Sequence, residues 1–388
     1  MRICVVYDCL FPYTVGGGER WYRNLAERLA REGHEVTYLT LRQWERGTRV
    51  ELDERVRVRA VGPRMALYTE SGRRRILPPL VFGVGVFLHL LRRGRRYDVV
   101  DTSAFPYFSL LAAAALAPVM RFRVVVDWFE VWSRSYWRDY LGAAGGRVGD
   151  LVQRLCARVP QQAFCFSQLH ARRLSEEGLK GPVTVLRGLY SGSVEPPVPR
   201  SSEPLVMFAG RLIPEKQVTL VVAAIALAAP RIEGLRGEIL GEGPDRAALD
   251  AAIAEYGLQE TVSAPGFAEG EVLDELMRQA LCLLLPSRRE GYGLVVVEAA
   301  ARGTPSIVVA GEDNAATELI VEGVNGTVVD RADPGAIADA IVHIHESGLA
   351  LRESTARWFA ENAERLSLES SLKTVLDVYA ASSPSVRR

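Results

Sequence analysis

Apolar and polar positions follow a repeating order along this chain: a short apolar run, a longer segment with apolar residues at helical spacing, then another short run. Strand-like runs fall at residues 3–7, 36–40, 56–61, 99–101, 123–126 and 163–167, and again at 205–209, 237–240, 262–264, 281–285 and 306–309. Between them lie helix-length segments such as 19–32, where Trp21, Leu25 and Leu29 recur on one face and Gly33 follows as a stop signal. Strand, helix, strand order predicts parallel sheets with helices on both faces, because a parallel connection needs a crossover that a helix supplies. The pattern occurs twice in tandem. A Pro- and Ser-rich stretch at 190–204 has the composition of a semi-rigid linker, which places one α/β domain at 1–189 and a second at 205–365. Residues 353–381 are helical in pattern, and 384–388 read as frayed.

Length supports this division, since 388 residues exceed what one core usually serves. A hydrophobic content of 48% and a charged content of 24% are those of an ordinary globular protein and argue against disorder. The first ten residues form a short strand without the apolar core and cleavage site of a signal peptide, so a cytosolic chain is expected. Five cysteines at 4, 9, 156, 165 and 282 include no C-x-x-C pair and read as small buried apolar residues, not as a disulfide framework or zinc site. Net charge is zero but uneven: residues 1–200 carry 31 Lys and Arg against 19 Asp and Glu, and the remainder 16 against 28. A basic first half suits an anionic acceptor or an anionic membrane surface at the inner face of the membrane. No basic stripe interleaved with aromatics occurs, so nucleic acid is not an expected partner. The segment 76–91 is apolar with arginines at 73–75, 92, 93, 95 and 96. It is too short to span a bilayer and reads either as a buried helix feeding the strand at 99 or as an interfacial helix.

Chemistry concentrates in the second half. The apolar run at 281–285 leads into Glu290, Gly291, Tyr292, Gly293 and Leu294, with Glu298 one turn further on. A strand that ends in a Gly-containing loop and opens into a helix leaves the amides of residues 291–294 without intrahelical partners, which suits an anion. Arg211 and Lys216 follow the strand at 205–209 and can reach the same anion, through charge-assisted bonds worth roughly 1.5–3 kcal/mol each. Glu290 and Glu298 bracket the glycine turn, where each can accept bonds from sugar and ribose hydroxyls. These residues describe a site for a nucleoside diphosphate carrying a sugar. On propensity alone Val295, Val296 and Val297 read as strand.

Gly16, Gly17, Gly18 and Glu19, then Gly210 and Arg211 to Lys216, then Gly241, Glu242, Gly243 and Pro244, then Pro265, Gly266 and Phe267, and finally Glu290 and Glu298, come in an order and spacing that resembles glycosyltransferase family 4. The likeness runs over nearly the whole chain, through Asp313 to Ile320 and Asn325 to Val329. It implies the GT-B architecture, two tandem Rossmann-like domains whose parallel sheets face each other across a cleft, with a closing helix at about 366–388 that packs back on the first domain. It also implies transfer of a sugar from a nucleoside-diphosphate sugar to a hydroxyl acceptor with retention of configuration. Arg211, Lys216 and Glu290 would then be catalytic, the cations neutralising the departing diphosphate and Glu290 holding donor-sugar hydroxyls near the reacting carbon. Gly16, Gly17, Gly210, Gly241, Gly243, Gly266, Phe267, Gly291, Tyr292, Gly293, Leu294 and Glu298 would line the donor.

Blander readings stand beside these. Arg211 and Glu290 also fit a structural ion pair, Gly16 to Gly18 a helix-start turn, and Gly241 and Gly243 a plain βα turn. No Asp-x-Asp pair occurs and the five histidines are scattered, so neither a metal nor any other cofactor is expected. Many relatives carry a His where Phe129 aligns here. A phenyl ring cannot hydrogen-bond, which points to a 6-deoxy sugar or pentose donor, or to Asp127 or Glu130 supplying the contact. Trp128 and Trp132, with Tyr136, Trp137 and Tyr140, read equally as an acceptor wall and as a buried helix face. A nucleotide-sugar 2-epimerase of the same architecture and a non-catalytic sugar-nucleotide sensor are the rival functions. The nucleotide base, the acceptor and the oligomeric state are not specified by these residues.

Overall fold

The computed structural model describes residues 1–381 apart from Arg46, Arg49, Glu51, Tyr68, Glu70, Ser71, Gly72, Arg73 and Glu269. Arg73 of the basic flank and the frayed end at 384–388 therefore lie outside the described residues. The chain forms two compact units, one of Met1–Leu186 with Ser371–Arg388 and one of Arg187–Ser370. Residues 190–204, read as a linker, fall within the second unit, where the Tyr190 amide bonds the Leu366 carbonyl at 3.1 Å and the Leu368 amide bonds the Tyr190 carbonyl at 2.8 Å.

The first unit alternates strand and helix: β1 (Arg2–Val6), α1 (Gly17–Arg31), β2 (Glu35–Leu41), β3 (Val56–Gly62), α2 (Leu77–Arg93), β4 (Val99–Ser103), α3 (Phe108–Met120), β5 (Arg123–Trp128), α4 (Arg134–Ala157), β6 (Gln162–Cys165), α5 (Gln168–Glu176) and β7 (Val183–Val185). Among the described residues these strands make a seven-stranded parallel sheet in the order β3, β2, β1, β4, β5, β6, β7. Helix α1 forms because Trp21, Tyr22, Leu25, Ala26, Leu29 and Ala30 fall on one buried face. It stops at Gly33, whose φ of +81° lets the His34 amide bond back to the Leu29 carbonyl at 3.0 Å. Strand β7 escapes the sequence pattern, being three half-buried residues at a sheet edge.

The second unit runs β8 (Leu205–Ala209), α6 (Val218–Ala228), β9 (Arg236–Leu240), α7 (Arg246–Glu255), β10 (Val262–Gly266), α8 (Glu271–Gln279), β11 (Cys282–Leu285), β12 (Arg289–Glu290), α9 (Leu294–Ala300), β13 (Ser306–Val309), β14 (Asp313–Asn314), β15 (Gly326–Val329) and α10 (Pro334–Leu366). Its parallel sheet has six strands among the described residues, in the order β10, β9, β8, β11, β13, β15. The valines at 295–297 are helical despite their strand propensity, since Val296, Val297, Ala299 and Ala300 are buried and tertiary packing outweighs the preference of a β-branched run. All five cysteines are buried and unpaired.

Helix α11 (Leu368–Ala381) carries the chain back into the first unit, where the Tyr379 hydroxyl donates to Asp101 of β4. Asp101 pairs with Val125 and Ser103 with Asp127, so by the two-residue period both aspartates point to one face of the sheet. Both are buried, and the Trp21 indole donates to Asp127 Oδ2 at 2.7 Å. The Oδ1 atoms of both are left without a partner. Burial raises the Asp127 carboxyl to about 7, and burial plus the Asp127 charge raises Asp101. A proton held by this pair satisfies one orphaned oxygen and removes the repulsion.

The sign of the linkage follows. The native state keeps a proton that the unfolded chain, with a carboxyl near 3.9, has released. Stability of the protein should therefore fall as pH rises from about 4 to about 7. Thermal denaturation across that range should show the slope, and Asp127→Asn should flatten it; an unchanged slope in that variant would remove the pair as its source.

Candidate functional site

Where strand order reverses in an open parallel sheet, the loops leaving two neighbouring strands diverge and open a crevice at their C-terminal ends. In the second unit the reversal lies between β8 and β11. The loop after β8 carries Gly210, Arg211 and Lys216, and the loop after β11 carries Glu290 to Leu294. These loops are joined directly. The Arg288 amide donates to the Glu215 carbonyl at 2.8 Å, the Arg289 guanidinium lies 3.9 Å from the Glu215 carboxylate, and Lys216 Nζ donates to Glu290 Oε1. Lys216 and Glu290 are only 16% and 12% exposed, so the pair is shielded enough to matter.

The structural pairing anticipated for Arg211 thus belongs to Lys216. Arg211 is exposed, and among the described residues its guanidinium has no hydrogen-bond or ion-pair partner. One cation is held in place and a second stands ready at the same loop.

Glu290 is fixed from its other side by the short parallel pair of β12 with β14, in which it registers with Asn314. The Asn314 amide donates to the Ser287 and Val309 carbonyls at 2.9 and 2.8 Å, and its oxygen accepts from the Ala316 amide at 3.0 Å. One buried side chain therefore holds the Glu290 loop to the sheet. In the sequence Asn314 and Glu215 stand only inside longer motifs, and Arg288 stands in none. Nothing in spacing singles these out, since Arg288 acts through its backbone amide and Glu215 through its carbonyl as well as its carboxylate.

The glycines are required by close backbone approach. Gly241 has φ +141°, and a Cβ there would sit 1.8 Å from the Gly210 carbonyl oxygen; at Gly243, φ +157°, it would sit 2.2 Å from that of Leu212. The loops after β8 and β9 lie flat against each other, tied by the Leu212 amide to the Glu242 carbonyl at 2.9 Å and the Asp245 amide to the Leu212 carbonyl at 3.0 Å. This is more than a plain βα turn. Gly266 closes the row through its carbonyl, which accepts from the Gly241 amide at 2.8 Å, and Phe267 beside it is 62% exposed. Gly293 caps α9 at φ +93°, pressed against Ala316. Leu294 begins the helix, Gly291 lies in the preceding bend and Glu298 faces partly outward. The Tyr292 ring is buried and its hydroxyl donates to the Arg187 carbonyl at 2.6 Å.

In the first unit the predicted acceptor residues divide. Asp127 and Trp128 are buried, Asp127 held by Trp21 and the Trp128 indole donating to Gln161 at 2.8 Å. Neither is presented to a ligand, which corrects that expectation: both sit inside β5, where side chains serve the core. Trp132 is also buried, its indole donating to Glu130 at 2.7 Å, while Gln153 bridges the Trp132 amide and carbonyl at 2.9 Å each. The aromatic cluster is thus a packed helix start. Phe129 and Glu130 remain half-exposed. Phe129 stacks on Phe166 at 4.7 Å and lies beside Gly18 at the start of α1. Gly16 is the extended N-cap of α1, where a Cβ would meet the Glu19 carboxylate at 2.4 Å; at Gly18 it would meet the Tyr7 hydroxyl at 2.6 Å, and Gly17 alone of the three has open space around it.

Two family models divide the chain between them: Glycosyltransferase Family 4 over residues 15–188 and Glycosyl transferases group 1 over residues 194–365. Similar curated proteins include an alpha-D-kanosaminyltransferase from Streptomyces kanamyceticus, 32% identical over 42% of this chain and 40% of the relative. A D-inositol 3-phosphate glycosyltransferase from a Nocardioides species is 30% identical over 47% of this chain and 43% of its own length. The chain spans less than half the length of these relatives. Solved structures match almost end to end. A sucrose-phosphate synthase from Thermosynechococcus elongatus aligns with TM-score 0.79 at 19% identity, covering 98% of both chains. HepE of Anabaena, solved in complex with UDP-glucose, aligns with TM-score 0.70 at 18% identity, covering 98% of this chain and 100% of that one. The fold is GT-B, and the chain belongs to the group 1 glycosyl transferases of glycosyltransferase family 4.

Proposed function

We propose that this protein transfers a sugar from a nucleoside-diphosphate sugar to a hydroxyl acceptor, with the diphosphate seated at the reversal between β8 and β11. The observation that carries the reading is the pinned pair of Lys216 with Glu290 beside an unengaged Arg211. Negative charge grows on the diphosphate as the anomeric C–O bond breaks. Cations already in position stabilise it without reorganisation, the kind of electrostatic contribution that dominates many active sites. They supply what a divalent metal supplies elsewhere, so the reaction proceeds without one. Glu290 and Glu298 accept from sugar and ribose hydroxyls, while the glycine-lined loops after β8, β9 and β10 leave room beside the base.

Retention fits attack on the face that the diphosphate leaves, its oxygen taking the acceptor proton. The names of the similar proteins, kanosaminyl, inositol 3-phosphate and 2-deoxystreptamine glycosyltransferases, favour a hexosyl or deoxyhexosyl donor and a polyhydroxylated acceptor. HepE with UDP-glucose favours a uridine diphosphate carrier. Phe129, directly after β5 and beside the start of α1, puts an apolar ring where relatives carry a hydrogen-bonding group and favours a sugar lacking the 6-hydroxyl. A donor panel assayed by release of nucleoside diphosphate decides this last point: faster turnover of a 6-deoxy hexose is expected, and a clear preference for glucose or mannose would exclude it.

Arg211→Ala should lower kcat on the order of a hundredfold or more with no loss of thermal stability, because the side chain is exposed and supports nothing else. Lys216→Ala should lower both, since it also leaves Glu290 without its partner. Unaltered kcat in the Arg211 variant would refute the assignment. Gly243→Ala should abolish stabilisation by uridine diphosphate in a thermal-shift assay, because the new methyl collides with the Leu212 carbonyl and spreads the donor loops; a wild-type shift would show that those loops do not touch the nucleotide.

A further inference from the structure

Surface helices turn a polar face to water, and α2 does not. Its inner side, Pro78, Pro79, Phe82, Gly83, Val86 and Leu90, is buried. Its outer side consists of Leu77, Leu80, Val84, Phe87, Leu88 and Leu91, each between 37% and 59% exposed. At 3.6 residues per turn these six share an arc of roughly 100°, and the stripe runs the length of a helix about 25 Å long. No charged residue interrupts it. His89 lies about 100° round from the stripe's edge, on the inner side of the helix, where burial followed by the Arg93 and Arg59 charges lowers it to about 4, so the middle of the helix carries no charge at neutral pH.

Arginines flank the stripe. Residues 71–97 contain seven arginines and no Asp or Glu. Arg75 precedes the helix, Arg92 and Arg93 end it, and Arg95 and Arg96 follow, all exposed; Arg57 and Arg59 are exposed on β3, the edge strand against which α2 packs. A second copy of the chain docked on this face about a two-fold axis would set one arginine rim against another, which disfavours a dimer here. An anionic bilayer fits both components, the apolar stripe and the basic rim. No helix among the described residues is long and apolar enough to cross a membrane, so α2 would lie in the interface plane.

We propose that α2 is an interfacial helix which inserts its outer face among the lipids of an anionic membrane while the flanking arginines bind phosphate headgroups. Two weak signals acting together give firm but reversible attachment, which neither gives alone. This inference does not depend on the donor or on turnover.

The test uses the full chain and vesicles of phosphatidylglycerol mixed with phosphatidylcholine, against phosphatidylcholine alone. Co-sedimentation should be about tenfold stronger with the anionic vesicles and should weaken with salt. The double variant Val84→Asp with Leu88→Asp should stay in the supernatant, and Arg92→Glu with Arg96→Glu should bind about tenfold less tightly. A conservative probe, Phe87→Trp, should shift its emission to the blue only with anionic vesicles, which keeps the test open should the aspartate variant misfold. Wild-type protein that ignores both vesicles, or binds both equally, overturns the proposal. So does a double variant that binds as wild type, or a dimer that the double variant dissolves in the absence of any vesicle binding.

Discussion

The ion pair between Lys216 and Glu290 is the constraint on which the second unit's geometry turns. Alone, a half-buried lysine would lose hydration without compensation, and so would the glutamate; together they keep each other charged and fixed. The pair also bridges two loops that leave strands on opposite sides of the order reversal, so it closes the crevice floor. The backbone bond from Arg288 to Glu215, the Asn314 clamp and the Arg289 guanidinium beside the Glu215 carboxylate reinforce this bridge. Arg211 is left outside the arrangement. A cation that supports no local structure is available to a ligand at small entropic and desolvation cost, whereas a paired one must trade partners.

How much of this was legible beforehand depends on the range over which each signal acts. Alternating apolar runs marked the central strands, because a strand buried on both faces writes itself into consecutive residues. Edge strand β7 and the two-residue strands β12 and β14 left no such mark. Gly241 and Gly243 were visible as residues, but the reason for them, a neighbouring carbonyl within 2.2 Å, is a tertiary fact. A structural pair of Arg211 with Glu290 stood as the bland alternative; the 3-10 turn at Pro214–Lys216 instead turns Lys216 toward the carboxylate.

The first unit shows where pattern reading goes astray. Trp128, Trp132, Tyr136 and Trp137 form a dense aromatic run that resembles a sugar platform, yet all four are buried and pack on one another or on Tyr107. Aromatics suit both tasks, and only burial tells them apart. Asp127 misleads for a related reason. An acid inside an apolar strand looks functional, but here it sits beside Asp101 beneath α1 and α11, where Trp21 and Tyr379 supply donors. A shared proton makes such a pair tolerable, and it gives the returning C-terminal helix a polar anchor that an apolar contact would not make specific.

The uneven charge of the chain acquires a physical reading from these placements. On the proposed reading the acidic half receives a strongly anionic ligand, so a few cations must act locally against an unfavourable average field. This puts a premium on the pinned geometry of Lys216 and on the exposed Arg211 at the crevice. The basic half has no such ligand-sized focus among the residues that sequence had suggested for it. Seven of its arginines fall instead within residues 71–97, about the apolar stripe of α2, where no acid intervenes. A field of one sign beside uncharged apolar surface is poorly suited to recognising a small molecule by geometry, because nothing in it fixes an orientation. It is well suited to an extended surface of opposite sign with an apolar interior, for which orientation is set by the plane itself.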